Sequence, residues 1–201
     1  MPDLSYESTI DGVVTGIDEA GRGPWAGPVV AAAVVLNTQT LSQELIDGLD
    51  DSKRLNKKKR ELLFALLPAH ASIGVGMSEP AEIDEINILQ ATLAAMARAV
   101  ANLDVQPDHA LVDGTQAPSL PCEVTCVVKG DGKSLSIAAA SIVAKVSRDR
   151  LMAELAERHP GYGWERNAGY GTAEHQAALA ALGVTDAHRK SFKPILKILG
   201  S

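Results

Sequence analysis

Four acidic residues stand at or just beyond the ends of apolar segments, and together they could hold divalent metal ions. They are Asp18, Glu19, Asp113 and Asp131. Because the carboxyl ends of strands meet at one edge of an α/β sheet, we expect these side chains to converge there. Two carboxylates about 4 Å apart repel each other by about 4 kcal/mol in a typical protein environment, so such a cluster needs bound cations.

An all-oxygen site of this kind selects Mg²⁺ or Mn²⁺ over zinc. Two such ions, about 3.5–4 Å apart, can position a water molecule and stabilise the leaving oxygen in phosphodiester cleavage. The alternative for each acid taken alone is a turn or helix-cap carboxylate. The four together favour metal-dependent cleavage of a phosphodiester.

Glu19 is the hardest of the four acids to place. Neighbouring residues of a strand point to opposite faces, so either the strand twists out at Gly21 or Glu19 reaches the site differently from Asp18. Other acids compete for the fourth position. Asp149 follows Lys145 by one helical turn, which predicts a surface ion pair. Asp50 and Asp51 lie in a polar turn with no strand before them.

The first two acids are followed by a loop that contains three glycines and two prolines, within residues 21–28. Glycines leave the backbone bare, so a ligand can approach it closely. The alternative is a hairpin whose glycines serve only the geometry of the turn.

The surrounding pattern predicts an α/β fold with a mixed central sheet flanked by helices. Apolar or alternating segments predict strands, and apolar residues that recur with a period of 3.6 residues predict amphipathic helices. Predicted strands cover residues 13–17, 29–36, 71–77, 109–112 and 123–128, and the main predicted helices cover residues 57–67, 80–103, 134–158 and 173–182.

Length and composition fit one domain: the chain has 201 residues, of which 46% are hydrophobic. No apolar run approaches the ~18 residues of a membrane span, and no secretory signal is evident, so we expect no membrane association. Cys122 and Cys126 are four residues apart in a predicted strand, a spacing that suits free thiols in the cytoplasm. Nothing in the sequence requires a dimer, and we expect a monomer.

The net charge of −6 argues against a protein that coats nucleic acid, although six of the eight residues from 53 to 60 are basic. Lysines at the start of a helix oppose its dipole, which suggests a role other than helix stability. The alternative is a solvated surface.

The segment Gly16-Ile17-Asp18-Glu19-Ala20-Gly21-Arg22-Gly23-Pro24 resembles the opening motif of the type 2 ribonucleases H, in the bacterial ribonuclease HII form. Further matching motifs follow in the same order, and together they cover nearly the whole chain. They lie at residues 51–53, 112–114, 129–131, 136–149, 169–172 and 188–192.

This resemblance implies a ribonuclease H-like fold, with a catalytic core in residues 1–160 and a small helical, substrate-contacting extension in residues 161–201. It implies an endonuclease that cuts on the 5′ side of ribonucleotides in RNA/DNA hybrids and of single ribonucleotides embedded in duplex DNA. The products would be a 3′-hydroxyl and a 5′-phosphate, and the role would be ribonucleotide removal from DNA. The implied cofactor is Mn²⁺ or Mg²⁺, with two ions in each active site during catalysis.

Carried over residue by residue, the family's catalytic and metal-binding acids fall on Asp18, Glu19, Asp113 and Asp131. Its nucleic-acid-binding residues fall on Gly21, Arg22, Gly23, Lys53 and Tyr170. Only the 2′-hydroxyl distinguishes RNA from DNA at one nucleotide, and a bare glycine backbone can reach it. Tyr170 would stack on a neighbouring sugar or base, whereas the alternative is a core tyrosine with a satisfied hydroxyl.

Two other functions are weighed against this one. A P-loop nucleotide hydrolase is suggested by Gly132-Lys133-Ser134, but Val127 stands where that motif requires glycine. A binding module without catalysis could use the basic residues 53–60, but it leaves the acids unexplained.

Overall fold

The computed structural model describes residues 1–200, which build a five-stranded mixed sheet in the order β3-β2-β1-β4-β5. The central strand β1 is antiparallel to β2 and parallel to β4. Strand β5 is parallel to β4, and β3 is antiparallel to β2. The strands are β1 (Val14–Ala20), β2 (Val29–Leu36), β3 (Ala71–Ser78), β4 (His109–Asp113) and β5 (Glu123–Val127).

Residues 1–200 contain seven α-helices. They are α1 (Gln43–Gly48), α2 (Lys57–Leu66), α3 (Pro80–Ala101), α4 (Leu135–Arg158), α5 (Trp164–Asn167), α6 (Ala173–Leu182) and α7 (Lys193–Leu199). Helix α4 packs on one face of the sheet, with α1 and α2 in the same hydrophobic cluster, and α3 packs on the other face. A third cluster joins the end of α4 to residues of α5, α6 and α7.

Small residues allow α4 to approach the sheet closely. A Cβ added to Gly16, on β1, would lie 2.1 Å from the backbone carbon of Ser136 at the start of α4. Helix α4 is itself rich in alanine where it crosses β1, and those alanines are buried. Close packing of small side chains explains how a chain with only 3% aromatic residues builds its core.

The predicted mixed α/β fold is confirmed, with differences at several boundaries. Strand β1 continues through Ala20, so Asp18 and Glu19 lie among its last residues rather than beyond its end. Helix α3 has a kink at Asn87, whose side chain accepts hydrogen bonds from the N–H groups of Leu89 and Gln90. Cys122 and Cys126 are free thiols and half-buried. None of the helices in residues 1–200 has the length and apolar character that crossing a membrane would take.

Candidate active site

Strands β1 and β4 place Asp18 and Asp113 side by side. The two strands pair in parallel, with Ile17 opposite Val112, so the next residue on each strand is an aspartate. Both aspartates lie on the face that carries α4, because the residues two positions earlier, Gly16 and Leu111, contact α4. Neighbouring strands are about 4.8 Å apart, so these two carboxylates are close neighbours.

Glu19 belongs to the opposite face of β1, as strand alternation requires, yet it lines the same cleft as Asp18. It does so at the end of the strand, just before Gly21 turns the backbone at φ +97°. Its carboxylate accepts a hydrogen bond from Arg22 Nη1 at 3.3 Å, and its side chain is only 13% exposed. Glu19 therefore approaches the cleft from the other side of the sheet edge.

Asp131 lies in a short 3₁₀ turn between β5 and α4, and it is buried. The neighbouring Gly130 donates its N–H to Asp113 Oδ1 at 2.6 Å, which links this turn to the end of β4. The turn thus brings the fourth predicted acid to the carboxyl edge of the sheet.

The electrostatics of this group show that the four acids repel one another. Burial raises the pKa of Asp18 well above its usual value, and the nearby carboxylates of Glu19 and Asp113 raise it further. Burial also raises the pKa of Glu19, against the opposing effect of Arg22. The pKa of Asp131 is raised by burial and by the charges of Asp51 and Asp113.

Lys53 is the cation that responds to these acids. Burial alone would lower its pKa, but attraction to Asp51, Asp18, Asp131 and Asp113 outweighs burial and raises it. Asp51, predicted to lie in a polar turn with no strand before it, is therefore a neighbour of Asp131 and Lys53.

The acids fit a divalent cation in kind, because they offer only oxygen ligands, and within residues 1–200 only Glu19 of the four forms a salt bridge, with Arg22. Within residues 1–200, however, no three His, Cys, Asp or Glu side chains are already gathered closely enough to hold one ion. Asp18 Oδ1 instead accepts the N–H of Glu19 at 2.7 Å, and Asp113 Oδ1 accepts that of Gly130. The acids share a neighbourhood without forming a closed cage.

The predicted nucleic-acid-binding residues adjoin these acids. A cleft of about 290 Å³ is lined by Asp18, Glu19, Gly21, Arg22, Gly23, Lys53 and Tyr170. Tyr170 is 48% exposed, so it is not a core tyrosine. A Cβ on Gly23 would lie 3.5 Å from the Tyr170 ring, so the ring and the bare loop form facing sides of one opening.

Sequence reasoning missed two buried arginines behind this loop. Arg148 donates to the carbonyls of Pro28, Ala168 and Ala26. Arg189 donates to the carbonyls of Gly27, Arg22 and Gly21. A signal for Arg148 exists in the sequence, because it follows Ser141 and Ala144 on the face of α4 that packs on the sheet. Arg189 lies in the matching motif at residues 188–192, which singled it out without indicating its role.

His175 and His188 are fully buried and in contact, a pairing that no spacing in the sequence predicts. The N–H of Thr185 donates to His188 Nδ1 at 3.0 Å, so the proton of a neutral His188 is on Nε2. His175 Nδ1 donates to the Tyr170 carbonyl at 3.0 Å, and His175 Nε2 accepts the indole N–H of Trp164 at 3.1 Å. His188 Nε2 lies 3.1 Å from the same His175 Nε2. This chain of neutral imidazoles holds the backbone beside Tyr170.

Two further contacts complete the cleft. Ser52 and Ser141 are buried and joined through their hydroxyls at 2.9 Å. Lys145, predicted only as the partner of Asp149, does pair with it at 2.6 Å and also lines the cleft. The ion pair is confirmed, and the position of Lys145 is new.

The basic run at residues 53–60 divides between structural and free side chains. Arg60 folds back to donate to the carbonyls of Ser52 and Leu55. Arg54 pairs with Asp50, and Lys57 and Lys58 are exposed. Only part of this run is therefore available to a ligand.

The segment that suggested a P-loop is already occupied. The N-terminus of α4 donates to Glu7, whose Oε1 accepts the N–H of Ser136 at 2.9 Å and the hydroxyl of Ser134 at 2.6 Å. A carboxylate stands where a P-loop would hold phosphate.

Comparison with known proteins now bears on the whole chain. The family model described as Ribonuclease HII matches residues 15–195. The chain belongs to the ribonuclease HII family. A ribonuclease HII of Paramagnetospirillum magneticum is 60% identical over 199 residues, which cover 99% of each protein. The protein is accordingly a type 2 ribonuclease H, a hydrolase of nucleic acid.

Solved structures agree with this membership. The crystal structure of ribonuclease H2 from Pyrococcus horikoshii superposes with a TM-score of 0.75 at 28% identity, covering 92% of this chain and 96% of that one. The Bst-RNase HIII structure in complex with Mn²⁺ gives a TM-score of 0.69 at 19% identity, covering 94% of this chain and 69% of that one, and it supports the fold alone. A ribonuclease HII thus has the ribonuclease H-like core that the sequence motifs implied.

Proposed function

We propose that this ribonuclease HII hydrolyses the phosphodiester on the 5′ side of ribonucleotides in RNA/DNA hybrids and of single ribonucleotides embedded in duplex DNA. The products are a 3′-hydroxyl and a 5′-phosphate, and the enzyme serves to remove ribonucleotides from DNA. The observation that carries the proposal is one cleft in which Asp18 and Glu19 adjoin a bare glycine loop and an exposed tyrosine, with Asp113 beside Asp18 and Asp131 beside Asp113.

The proposed catalytic and metal-binding residues are Asp18, Glu19, Asp113 and Asp131. When bound, two Mg²⁺ or Mn²⁺ ions supply the positive charge that offsets these carboxylates and polarises the scissile phosphodiester. The raised pKa values of Asp18, Glu19 and Asp131 support this assignment, because burial and, secondarily, neighbouring carboxylates disfavour their ionised forms, and bound cations would favour those forms. Since no ready cage is present in residues 1–200, we expect these side chains to adjust when ions bind.

The loop of Gly21, Arg22 and Gly23 is the proposed sensor of the ribose. Glycine backbone can approach a 2′-hydroxyl that a side chain would block. Tyr170 faces this loop across the opening and is exposed, so its ring can stack on the sugar or base of the next nucleotide. No contact in this proposal reads a base edge, so we expect little sequence preference.

Phosphate groups on either side of the cut are proposed to bind Arg22 and Lys53. Arg22 is exposed at the rim of the cleft, and Lys53 lies between the acids and solvent. Such contacts give position and a salt-dependent affinity rather than specificity. Lys145 lines the same cleft and is a third candidate.

Residues 1–160 form the proposed catalytic core, and residues 161–201 the substrate-contacting extension. The extension supports this division in that it supplies Tyr170 to the cleft and Arg189 to the loop carbonyls. Every proposed site residue comes from one chain, so we propose a monomer. The proposed substrate places the enzyme with the chromosomal DNA in the cytoplasm.

The test is to map cleavage of an end-labelled DNA duplex that contains one ribonucleotide, with and without Mg²⁺ or Mn²⁺. We expect one cut, on the 5′ side of the ribonucleotide, only when a divalent cation is present. The all-DNA duplex of the same sequence is the matched substrate control and should remain intact. Cleavage of both duplexes, or a cut elsewhere, would refute the proposed specificity.

A further inference from the structure

Arg189 is a fully buried cation that makes no salt bridge within residues 1–200. Its guanidinium instead donates three hydrogen bonds to backbone carbonyls. Nη2 reaches Gly21 O at 2.5 Å, Nη1 reaches Arg22 O at 2.9 Å, and Nε reaches Gly27 O at 3.0 Å. A buried charge without a counter-ion is costly to fold, so this arrangement calls for a physical reason.

The geometry of the peptide bond supplies that reason. In a trans peptide, the C=O of one residue and the N–H of the next point in opposite directions. Arg189 draws the carbonyls of Gly21 and Arg22 inward, so the N–H groups of Arg22 and Gly23 point outward to the cleft. Neither N–H donates to any acceptor in the described part of the chain.

We propose that Arg189 is a positioning residue for ribose recognition, which orients the amides of Arg22 and Gly23 toward the 2′-oxygen of the ribonucleotide. This inference rests on the proposed function of the Gly21–Gly23 loop. It adds to that function the group that fixes the loop, in a part of the chain more than 160 residues away.

Arg148 provides an internal contrast. It also is buried and donates to three carbonyls, but these belong to Ala26, Pro28 and Ala168. It therefore ties the far side of the loop to the segment before Tyr170, without touching Gly21 O or Arg22 O. Of the two arginines, only Arg189 donates hydrogen bonds to the carbonyls of Gly21 and Arg22.

The experiment compares binding of two duplexes in EDTA, so that no cleavage occurs. One duplex carries a single ribonucleotide, and the other has the same sequence with a deoxyribonucleotide there. The proteins are the wild type, Arg189→Lys, which keeps the charge but not the fork of donors, and Arg166→Lys as a matched control. Arg166 is exposed in the same C-terminal region and pairs with Glu165 and Glu174.

The wild type and Arg166→Lys should bind the ribonucleotide duplex about tenfold more tightly than the all-DNA duplex. This is the effect expected of one or two hydrogen bonds. Arg189→Lys should bind both duplexes within about twofold of each other, with unchanged affinity for the all-DNA duplex. A merely structural role would reduce the active fraction and leave the ratio of the two dissociation constants unaltered. A folded Arg189→Lys protein that keeps the wild-type ratio would overturn the inference.

A second measurement covers the case in which Arg189→Lys does not fold. In ¹H–¹⁵N spectra of the wild type, the amide signals of Arg22 and Gly23 should shift with the ribonucleotide duplex and not with the all-DNA duplex. Equal shifts with the two duplexes would show that these amides do not sense the ribose. That result would overturn the inference, because Arg189 would then have no ribose contact to orient. Cleavage by the wild type in Mg²⁺, measured separately, shows whether the proposed function survives that outcome.

Discussion

A cluster of acids and a pair of arginines adjoin the same glycine loop, and their surroundings differ. The acidic cluster consists of Asp18, Glu19, Asp113 and Asp131, and the arginine pair consists of Arg148 and Arg189. The arginines together donate to six backbone carbonyls. Asp18 and Asp113, by contrast, are each drawn to one backbone N–H while they repel each other.

The difference indicates what each charge is for. Charges whose hydrogen-bonding capacity is spent on the backbone fix geometry, as in the arginine pair. Charges with few such hydrogen bonds are held ready for a ligand of opposite sign, as in the acidic cluster. Burial lowers the pKa of Arg148 to about 10 and that of Arg189 to about 9, so both remain cations at neutral pH.

Neutralising the acidic cluster should have the largest effect. Asp18→Asn should reduce the cleavage rate by about a thousandfold or more, equivalent to about 4 kcal/mol in the barrier. Because folding raises the pKa of Asp18, its ionised form costs stability, and this cost builds up as the pH rises from the unfolded pKa through the folded pKa. The variant should therefore unfold with a free energy about 1–3 kcal/mol higher in EDTA.

Single-turnover kinetics and urea unfolding check these two effects. Asp11→Asn is the control, since Asp11 is exposed and lies outside the cleft. An Asp18→Asn protein that cleaves at the wild-type rate would exclude Asp18 from the proposed catalytic residues.

The arginine pair can be disturbed through the glycine it packs against. A Cβ on Gly21 would lie 1.9 Å from Arg148 Nε, at a φ of +97° that side chains rarely adopt. Gly21→Ala should lower the free energy of unfolding by about 2–4 kcal/mol. Gly23→Ala is the matched variant, because its Cβ would meet nothing closer than 3.5 Å, and it should cost less than about 0.5 kcal/mol. Equal losses would show that the arginines do not constrain the loop.

Acidification should lower the stability of the protein through His188, which lies next to the histidine that contacts the Tyr170 carbonyl. Burial lowers the pKa of His188 to about 4, helped by the nearby His175 and His159 and opposed by Thr185 and Asp186. Since the unfolded chain binds this proton near pH 6.5, stability is complete above that pH and is lost toward pH 4. Between pH 7 and pH 5 the wild type should lose about 2 kcal/mol through this group.

Urea unfolding at the two pH values measures that loss. His188→Gln, which cannot titrate, should show a smaller difference between pH 7 and pH 5 by about the same 2 kcal/mol. If the two proteins have the same pH dependence, His188 is not held neutral by folding.

The smallest expected effect is that of replacing Lys53, the exposed cation near the acidic cluster. Lys53→Gln should weaken duplex binding modestly and to the same extent for both the ribonucleotide and the all-DNA duplex. The slope of log K against log salt should fall by about 0.9 if Lys53 contacts one phosphate. A salt series of fluorescence anisotropy titrations gives both values, and an unchanged slope would exclude that contact.

Much of the fold and part of the site could be predicted from local patterns. Each strand and long helix leaves a periodic signal, and Asp18, Asp113 and Asp131 stand near the ends of such strands. The position of Arg189 under the loop could not be predicted, because it depends on how the C-terminal region packs against residues 21–27. The contact of His175 with His188 and the closeness of Asp51 to Asp131 depend on tertiary packing in the same way.

The central claim is that folding holds the acidic cluster together for divalent cations, and the most direct test is thermal unfolding with and without Mn²⁺. At about one hundred times its dissociation constant, the ion should add about 2.7 kcal/mol to wild-type stability, a rise of about 5–10 °C in Tm. Asp18→Asn should melt higher than the wild type in EDTA and gain much less from Mn²⁺. Equal gains in both proteins, or none in the wild type, would contradict the claim.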